Sequence, residues 1–202
     1  MSAAFLGLAP RTAVCYIEDR KTSARTPGQG GRKEGADLEK QTKTIYLAGG
    51  CFWGLQKFFD QFDGVLETEV GYANGPDRAP SYKEVCADSG HAETVRIAYD
   101  PGRISLDKLL DHYFLVIDPL SVNKQGEDEG IQYRTGVYYT DADQLPALKA
   151  AFAAEERKVG GPLAVELLPL HNFFPAEEYH QKYLEKNPGG YCHIPQRMMH
   201  LG

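Results

Sequence analysis

The sequence predicts an α+β fold with a two-layer, ferredoxin-like β-α-β-β-α-β core, C-terminal additions and a long coil tail. Three observations carry this. Val65 to Tyr72 and Ala92 to Tyr99 place apolar side chains at alternate positions, the period of a half-buried strand. The segments after Cys51 and after Ser105 place them at helical spacing instead. These four pieces run helix, strand, strand, helix, between strand-like segments at 43–48 and 132–139.

Taken in order, residues 1–42 read as a flexible extension, because 26–35 is polar and glycine-rich with no periodicity that could bury a face. The folded domain, residues 43–202, starts with Thr44-Ile45-Tyr46-Leu47-Ala48, and a helix over 52–62 follows, with Leu55, Phe58, Phe59 and Phe62 on one face. In the next strand Leu66, Thr68, Val70 and Tyr72 share the core side, opposite Glu67 and Glu69. Ser81-Tyr82-Lys83-Glu84 has the S-x-x-E pattern of a capping box and opens a short helix. Along 92–99, parity puts Glu93 on the apolar face with Val95, Ile97 and Tyr99. Ser105 caps a helix that stops before Asp118-Pro119. A polar loop over 120–130 leads to the strand at 132–139. Beyond it the pattern gives a helix over 142–158 capped by Asp141, a strand at 164–169, a short helix over 176–185, and a tail released at Asn187-Pro188-Gly189-Gly190.

Composition narrows the function. A net charge of −6 without a Lys/Arg run argues against a nucleic-acid groove or an anionic membrane surface as the main partner. No apolar stretch approaches the ~20 residues that span a bilayer, and Met1 to Pro10 lacks the basic residues of a secretory signal. Cysteines at 15, 51, 86 and 192 have neither the density of a disulfide scaffold nor the close pairs of a zinc site, so a reducing, cytoplasmic setting without a metal is expected. A monomer is the default expectation.

Cys51 is the candidate nucleophile. It lies where a strand turns into a helix, flanked by Gly49-Gly50 and Gly54, and unpaired helix N–H groups and the helix dipole favour a thiolate there. A terminus contributing ~0.3–1 kcal/mol lowers a thiol pKa by less than one unit, so a proton donor is needed as well. Glu93, a carboxyl on an apolar strand face, fits that role, with a salt-bridged strand-end glutamate as the equally weighted alternative. Tyr72 and Tyr133 are phenol donors or plain core residues. Phe52 and Trp53 suggest an apolar pocket for a methyl group. His91 admits a Cys–His acyl hydrolase, although a turn histidine after Ser89-Gly90 is the simpler reading. A catalytically silent module that binds a ligand through that pocket is a third possibility. Cys192, on the tail, is placed to reach another sulfur, while Cys15 and Cys86 read as structural or incidental.

Several separated motifs agree in order and spacing with one family. Gly50-Cys51-Phe52-Trp53-Gly54, Val70-Gly71-Tyr72-Ala73, Tyr82-Lys83-Glu84-Val85-Cys86, Gly90-His91-Ala92-Glu93, Asp118-Pro119, and Gln125-Gly126 to Gln132-Tyr133-Arg134 resemble the A-type peptide methionine sulfoxide reductases, from about Ile45 to Cys192. The resemblance implies that Cys51 attacks the sulfoxide sulfur while Glu93 protonates its oxygen, with Tyr72 and Tyr133 as hydrogen-bond donors. It further implies that Phe52 and Trp53 hold the methyl group, that Asp118 supports the polar side, and that the S epimer at sulfur is reduced. Cys192 then resolves a Cys51 sulfenic acid, and thioredoxin reduces the disulfide, with no cofactor. The chain departs from many members at Gln56, where they carry an acid, and at Ile117, where they carry a histidine. It also has one tail cysteine where others have two.

Overall fold

The computed structural model describes residues 42–201. The expected extension, apart from Thr42, and Cys15 lie outside the described residues. The fold is α+β, built on one mixed sheet.

The strands are β1 (Lys43–Ala48), β2 (Val65–Ala73), β3 (Ala92–Tyr99), a two-residue-per-strand hairpin β4 (Lys124–Gln125) and β5 (Asp128–Glu129), then β6 (Gly136–Tyr139), β7 (Glu166–Pro169) and β8 (Phe173–Pro175). The helices are α1 (Phe52–Asp60), α2 (Tyr82–Cys86), α3 (Leu106–Val116), α4 (Leu145–Val159) and α5 (Tyr183–Lys186). Six strands form the sheet in the order β7-β6-β1-β3-β2-β8. All neighbours are antiparallel except β6 and β7, and the pairing sets Tyr72 opposite Glu93.

Alternation along the strands sends Ile45, Leu47, Val70, Val95, Ile97 and Val137 to one face. There they meet Leu55, Phe58 and Phe59 of α1, Leu109, Leu110 and Tyr113 of α3, and Leu148 of α4, all fully buried. The other face is covered more thinly, by a cluster of Ala48, Ala73, Ala92 and Tyr138. Beside it Arg96 pairs with Glu67 and Glu69. Ser81 makes the expected capping box with Glu84, and Ser105 caps α3 through the Lys108 N–H.

The structure departs from the sequence reading at defined points. A bulge between Val65 and Glu67 turns Leu66 to solvent, while Thr68, Val70 and Tyr72 keep the core side. Tyr133 sits on a 3-10 turn, Ile131–Tyr133, so the strand begins only at Gly136. Asp141 caps a 3-10 turn, and α4 starts at Leu145 with a proline in its first turn. The expected 176–185 helix is reduced to α5, because tertiary hydrogen bonds claim its first turns. Gln181 pairs through its side-chain amide with both backbone groups of Val70, and Lys182 takes a left-handed conformation to give its N–H to Gln56 Oε1. β8 and the β4–β5 hairpin lie in segments read as coil, being too short to show a period.

One buried group ties the sheet to the turn that follows β1. Tyr113, fully buried on α3, donates its hydroxyl to the Ala48 carbonyl at 2.6 Å and accepts the Gly136 N–H at 3.1 Å. Tyr113→Phe strands both backbone groups in an apolar core and should cost about 1–3 kcal/mol in urea denaturation; an unchanged midpoint would contradict this account.

Candidate active site

β1 ends at Ala48, and two glycines reverse the chain into α1. Gly50 has φ of +73°, and a Cβ there would come within 2.7 Å of Gln125 and 3.0 Å of the His193 ring, so no larger residue fits. Cys51 follows as the residue that caps α1, and its side chain is buried. The sequence argument favoured a thiolate here, and the structure corrects it. Burial pushes the Cys51 thiol well above its ordinary pKa, the nearby Glu93 adds to this, and only the Trp53 backbone N–H pulls the other way. The resting sulfur is a thiol.

Glu93 lies on β3 beside the start of α1, 2% exposed, and its Oε2 accepts the Phe52 backbone N–H at 3.1 Å. That single bond does not offset the loss of water. Burial raises the carboxyl to about 8, with Asp128 contributing in the same direction. No cation pairs with Glu93 among the described residues, which removes the salt-bridge alternative. A neutral carboxylic acid and a neutral thiol therefore meet at one helix terminus.

Three phenols surround the acid. Tyr72, across the strand pair from Glu93, packs on Phe52 and gives its hydroxyl to Glu177 Oε2 at 2.7 Å. It is thus already engaged. Tyr133 is raised in pKa by burial and then by Glu93 and Cys51, whose fields therefore reach it. Tyr82 on α2, not singled out from sequence, is raised by burial, by a hydrogen bond with Cys86 and by Glu93. Its capping box was legible, but its closeness to Glu93 depends on how α2 folds back between β2 and β3.

The acid on the polar side is also not the expected one. Asp118 is exposed, its carboxyl accepts the Leu120 N–H at 3.0 Å, and its own backbone is held by the Gln125 amide. It shapes the loop. Asp128, on β5, is the carboxylate whose field reaches Cys51, Glu93, Tyr133 and Cys192. A single acidic residue in a polar loop carries no signal that selects it.

Phe52 is buried and Trp53 half-buried. Trp53 is clamped, with its indole stacked on Tyr183 at 3.8 Å between centroids and its Nε1–H donated to His180 Nδ1 at 3.0 Å. His180 and Tyr183 escaped the sequence reading because their helical spacing looked like an ordinary amphipathic face. His91 is remote in role: its ring nitrogens are occupied by Ser89 Oγ at 2.9 Å and the Pro76 carbonyl at 3.0 Å, leaving none to take a thiol proton. Cys192 rests over the first turn of α1, its sulfur 2.9 Å from where a Cβ on Gly54 would stand. Cys51 and Cys192 are both free thiols.

The raised Glu93 pKa has a stability consequence. The unfolded carboxyl ionises near 4.5 and the folded one near 8. Below the first value both states hold the proton and stability is unaffected. As pH climbs between the two values the unfolded state loses its proton first, so the folded state is progressively disfavoured. Glu93→Gln, which still accepts the Phe52 N–H, should therefore gain on the order of 4 kcal/mol over the parent at about pH 8 and nothing at about pH 4. Equal urea midpoints at both pH values would refute the raised pKa.

Comparison with known proteins bears on this constellation. The family described as "Peptide methionine sulfoxide reductase" matches residues 43–200. Two relatives named "Peptide methionine sulfoxide reductase MsrA" are similar to the chain. The one from Clostridium acetobutylicum is 52% identical over 158 residues, covering 78% of this chain and 98% of its own. The one from Lachnoclostridium phytofermentans is 57% identical over 155 residues, covering 76% and 93%. Among solved structures, Mxr1 from Saccharomyces cerevisiae in reduced form aligns with a TM-score of 0.72 at 39% identity, over 76% of this chain and 90% of that one. The same yeast protein in complex with Trx2 aligns with a TM-score of 0.52 at 26% identity, over 71% and 86%. The match thus runs from β1 through the tail that brings Cys192 to α1, and the chain belongs to the A-type peptide methionine sulfoxide reductases.

Proposed function

We propose that the protein reduces methionine-S-sulfoxide to methionine in peptides, proteins and the free amino acid, through a Cys51 sulfenic acid that Cys192 resolves and thioredoxin recycles. One observation carries the proposal: a buried carboxyl with a pKa of about 8 next to a buried thiol. A sulfoxide oxygen is a poor acceptor of negative charge, so attack on its sulfur requires simultaneous protonation of that oxygen. Glu93 holds the proton for this purpose at neutral pH. The Cys51 sulfur bonds to the sulfoxide sulfur as Glu93 protonates the oxygen, and the proton that Cys51 releases returns to Glu93. The hydroxyl then passes from the methionine sulfur to Cys51 as the bond between the two sulfurs breaks, so methionine leaves reduced by two electrons and Cys51, oxidised by two, holds the oxygen as a sulfenic acid.

Tyr133 and Tyr82 supply neutral hydrogen-bond donors to the oxygen, with Tyr72 bracing the strand beside Glu93. Phe52 and Trp53 form the wall for the methyl group, and Asp128 takes the polar side assigned from sequence to Asp118. Cys192 displaces water from the sulfenic sulfur to form a disulfide, which the dithiol of thioredoxin reduces by exchange. The yeast relative bound to Trx2 supports thioredoxin as the partner. We also read the domain as residues 43–202, supported by the family match over 43–200. Its four central strands we take as ferredoxin-like, supported by their order β6-β1-β3-β2 and the helices that follow β1 and β3.

The decisive assay supplies dithiothreitol with the two resolved sulfoxide epimers and counts methionine. The S epimer alone should be consumed, Cys51→Ser should abolish turnover, and full activity in that variant would falsify the proposal. Binding of sulfoxide with no dithiothreitol consumed would indicate the silent module instead. Glu93→Gln should lower the rate by ~10²–10⁴, and the parent rate should decline above about pH 8 as Glu93 loses its proton. A rate rising through that range would contradict the role of the neutral acid. Cys192→Ser should form one methionine per enzyme with thioredoxin and then stop; undiminished cycling would remove Cys192 from the resolving role.

A further inference from the structure

The tail carries a second buried group that the cycle above leaves unused. His193, next to Cys192, has its side chain only 4% exposed, and neither ring nitrogen makes a well-formed hydrogen bond, although the Gly49 backbone and Asp128 both act on the ring. Under-satisfied buried polar groups are costly and uncommon, so one that is retained calls for a fuller partner acquired in another state. The surroundings show which state.

The imidazole is wedged between the first turn of α1 and the β4–β5 hairpin. A Cβ on Gly50 would stand 3.0 Å from its Cε1 and 3.1 Å from Nε2, and one on Gly126 3.4 Å from its Cβ. A Cβ on Gly54 would stand 2.9 Å from Cys192 Sγ and 3.6 Å from His193 Nδ1, so thiol and ring nitrogen converge on the same gap above α1. On the hairpin side Asp128 Oδ2 lies 3.8 Å from Nδ1, too long for a hydrogen bond with a neutral ring but in range to pair with a charged one.

The resolving thiol needs a proton acceptor. Burial raises the Cys192 pKa, and its Sγ–H is parked on the Ile194 carbonyl at 3.4 Å. Burial lowers the His193 pKa against the pull of Asp128 and of the Gly49 backbone, which keeps the ring uncharged and able to accept at neutral pH. The other titratable groups around this pair are Cys51 on α1 and Tyr191, whose hydroxyl donates to the same Asp128 Oδ2 at 3.0 Å. Lys57, Glu185 and His200 line the pocket of about 480 Å³ onto which Cys192 opens.

We propose that His193 takes the Cys192 proton as the Cys51–Cys192 disulfide forms, with Asp128 holding the imidazolium that results. The inference rests on the reductase cycle proposed above. Cys192 sulfur bonds to the sulfenic sulfur of Cys51, and the S–O bond breaks. The leaving hydroxyl takes the Glu93 proton and departs as water, and the Cys192 proton passes to His193. Cys192 is oxidised by one electron as the Cys51 sulfenic sulfur is reduced by one. Proton exchange with solvent then returns both groups to their starting forms.

The test mixes reduced full-length protein with excess methionine-S-sulfoxide in the absence of reductant, for the parent, His193→Gln and His193→Ala. Methionine release reports the first step, and loss of free thiols together with trapping of sulfenic acid by dimedone reports the second. Both variants should release the first methionine at the parental rate, form the disulfide at least about tenfold more slowly near pH 7 and accumulate trappable sulfenic acid. Raising the pH once the first methionine has been released should narrow the gap, as the Cys192 thiol comes to ionise without help. A deficit of the same size at every pH means that His193 only packs the tail, and overturns the proposal, as does a parental rate of disulfide formation in both variants. Failure of the parent protein to release any methionine is a different result, which removes the reductase reading itself.

Discussion

The site depends on one unfavourable burial, that of the Glu93 carboxyl between β3 and the start of α1 with a single backbone N–H for company. Water is excluded, no cation among the described residues pairs with it, and the proton stays on as a result. The same exclusion keeps Cys51 a thiol, because a thiolate beside that carboxyl would be buried as well. Thiol and carboxyl are thus held together, each in its neutral form. In the proposed cycle, a substrate oxygen that accepts the carboxyl proton makes it possible for the sulfur to release its own. The helix terminus contributes through oriented N–H groups, one on Glu93 and one facing the Cys51 sulfur, and much less through its dipole.

The tail obeys a steric constraint set by glycine. Gly50 and Gly54 on α1 and Gly126 on the hairpin leave the space into which Cys192 and His193 settle. Ile194 is buried behind them. Docking therefore brings the Cys192 thiol to the turn that carries Cys51 without a bond between the two sulfurs. Asp128 links the two halves, since it lies near the reacting groups and also accepts the Tyr191 hydroxyl.

Much of this was legible in the sequence. Strand parity put Glu93 on the apolar face, helical spacing placed Cys51 at a terminus, and Ser81 and Ser105 announced their helices. What escaped depends on long-range closure. Asp128 rather than Asp118 faces the site because the Gln125 amide folds the 118–125 loop back on itself and fixes the hairpin. Tyr72 rather than Tyr82 drew attention because a strand has a readable face, whereas a five-residue helix does not. The broken helix before α5 shows the same limit. Val70 and Gln56 capture Gln181 and Lys182 across more than a hundred residues of sequence, and local propensity is overridden.

The central claim is that Glu93 holds its proton at neutral pH because it is buried without a counter-charge. Carbon-13 NMR of protein labelled at glutamate carboxyls, titrated with Glu93→Gln as the assignment control, measures this without reference to turnover. The account predicts one carboxyl resonance, absent from that variant, that titrates near 8, well above the usual carboxylate range. A Glu93 resonance that titrates within the usual carboxylate range would contradict it.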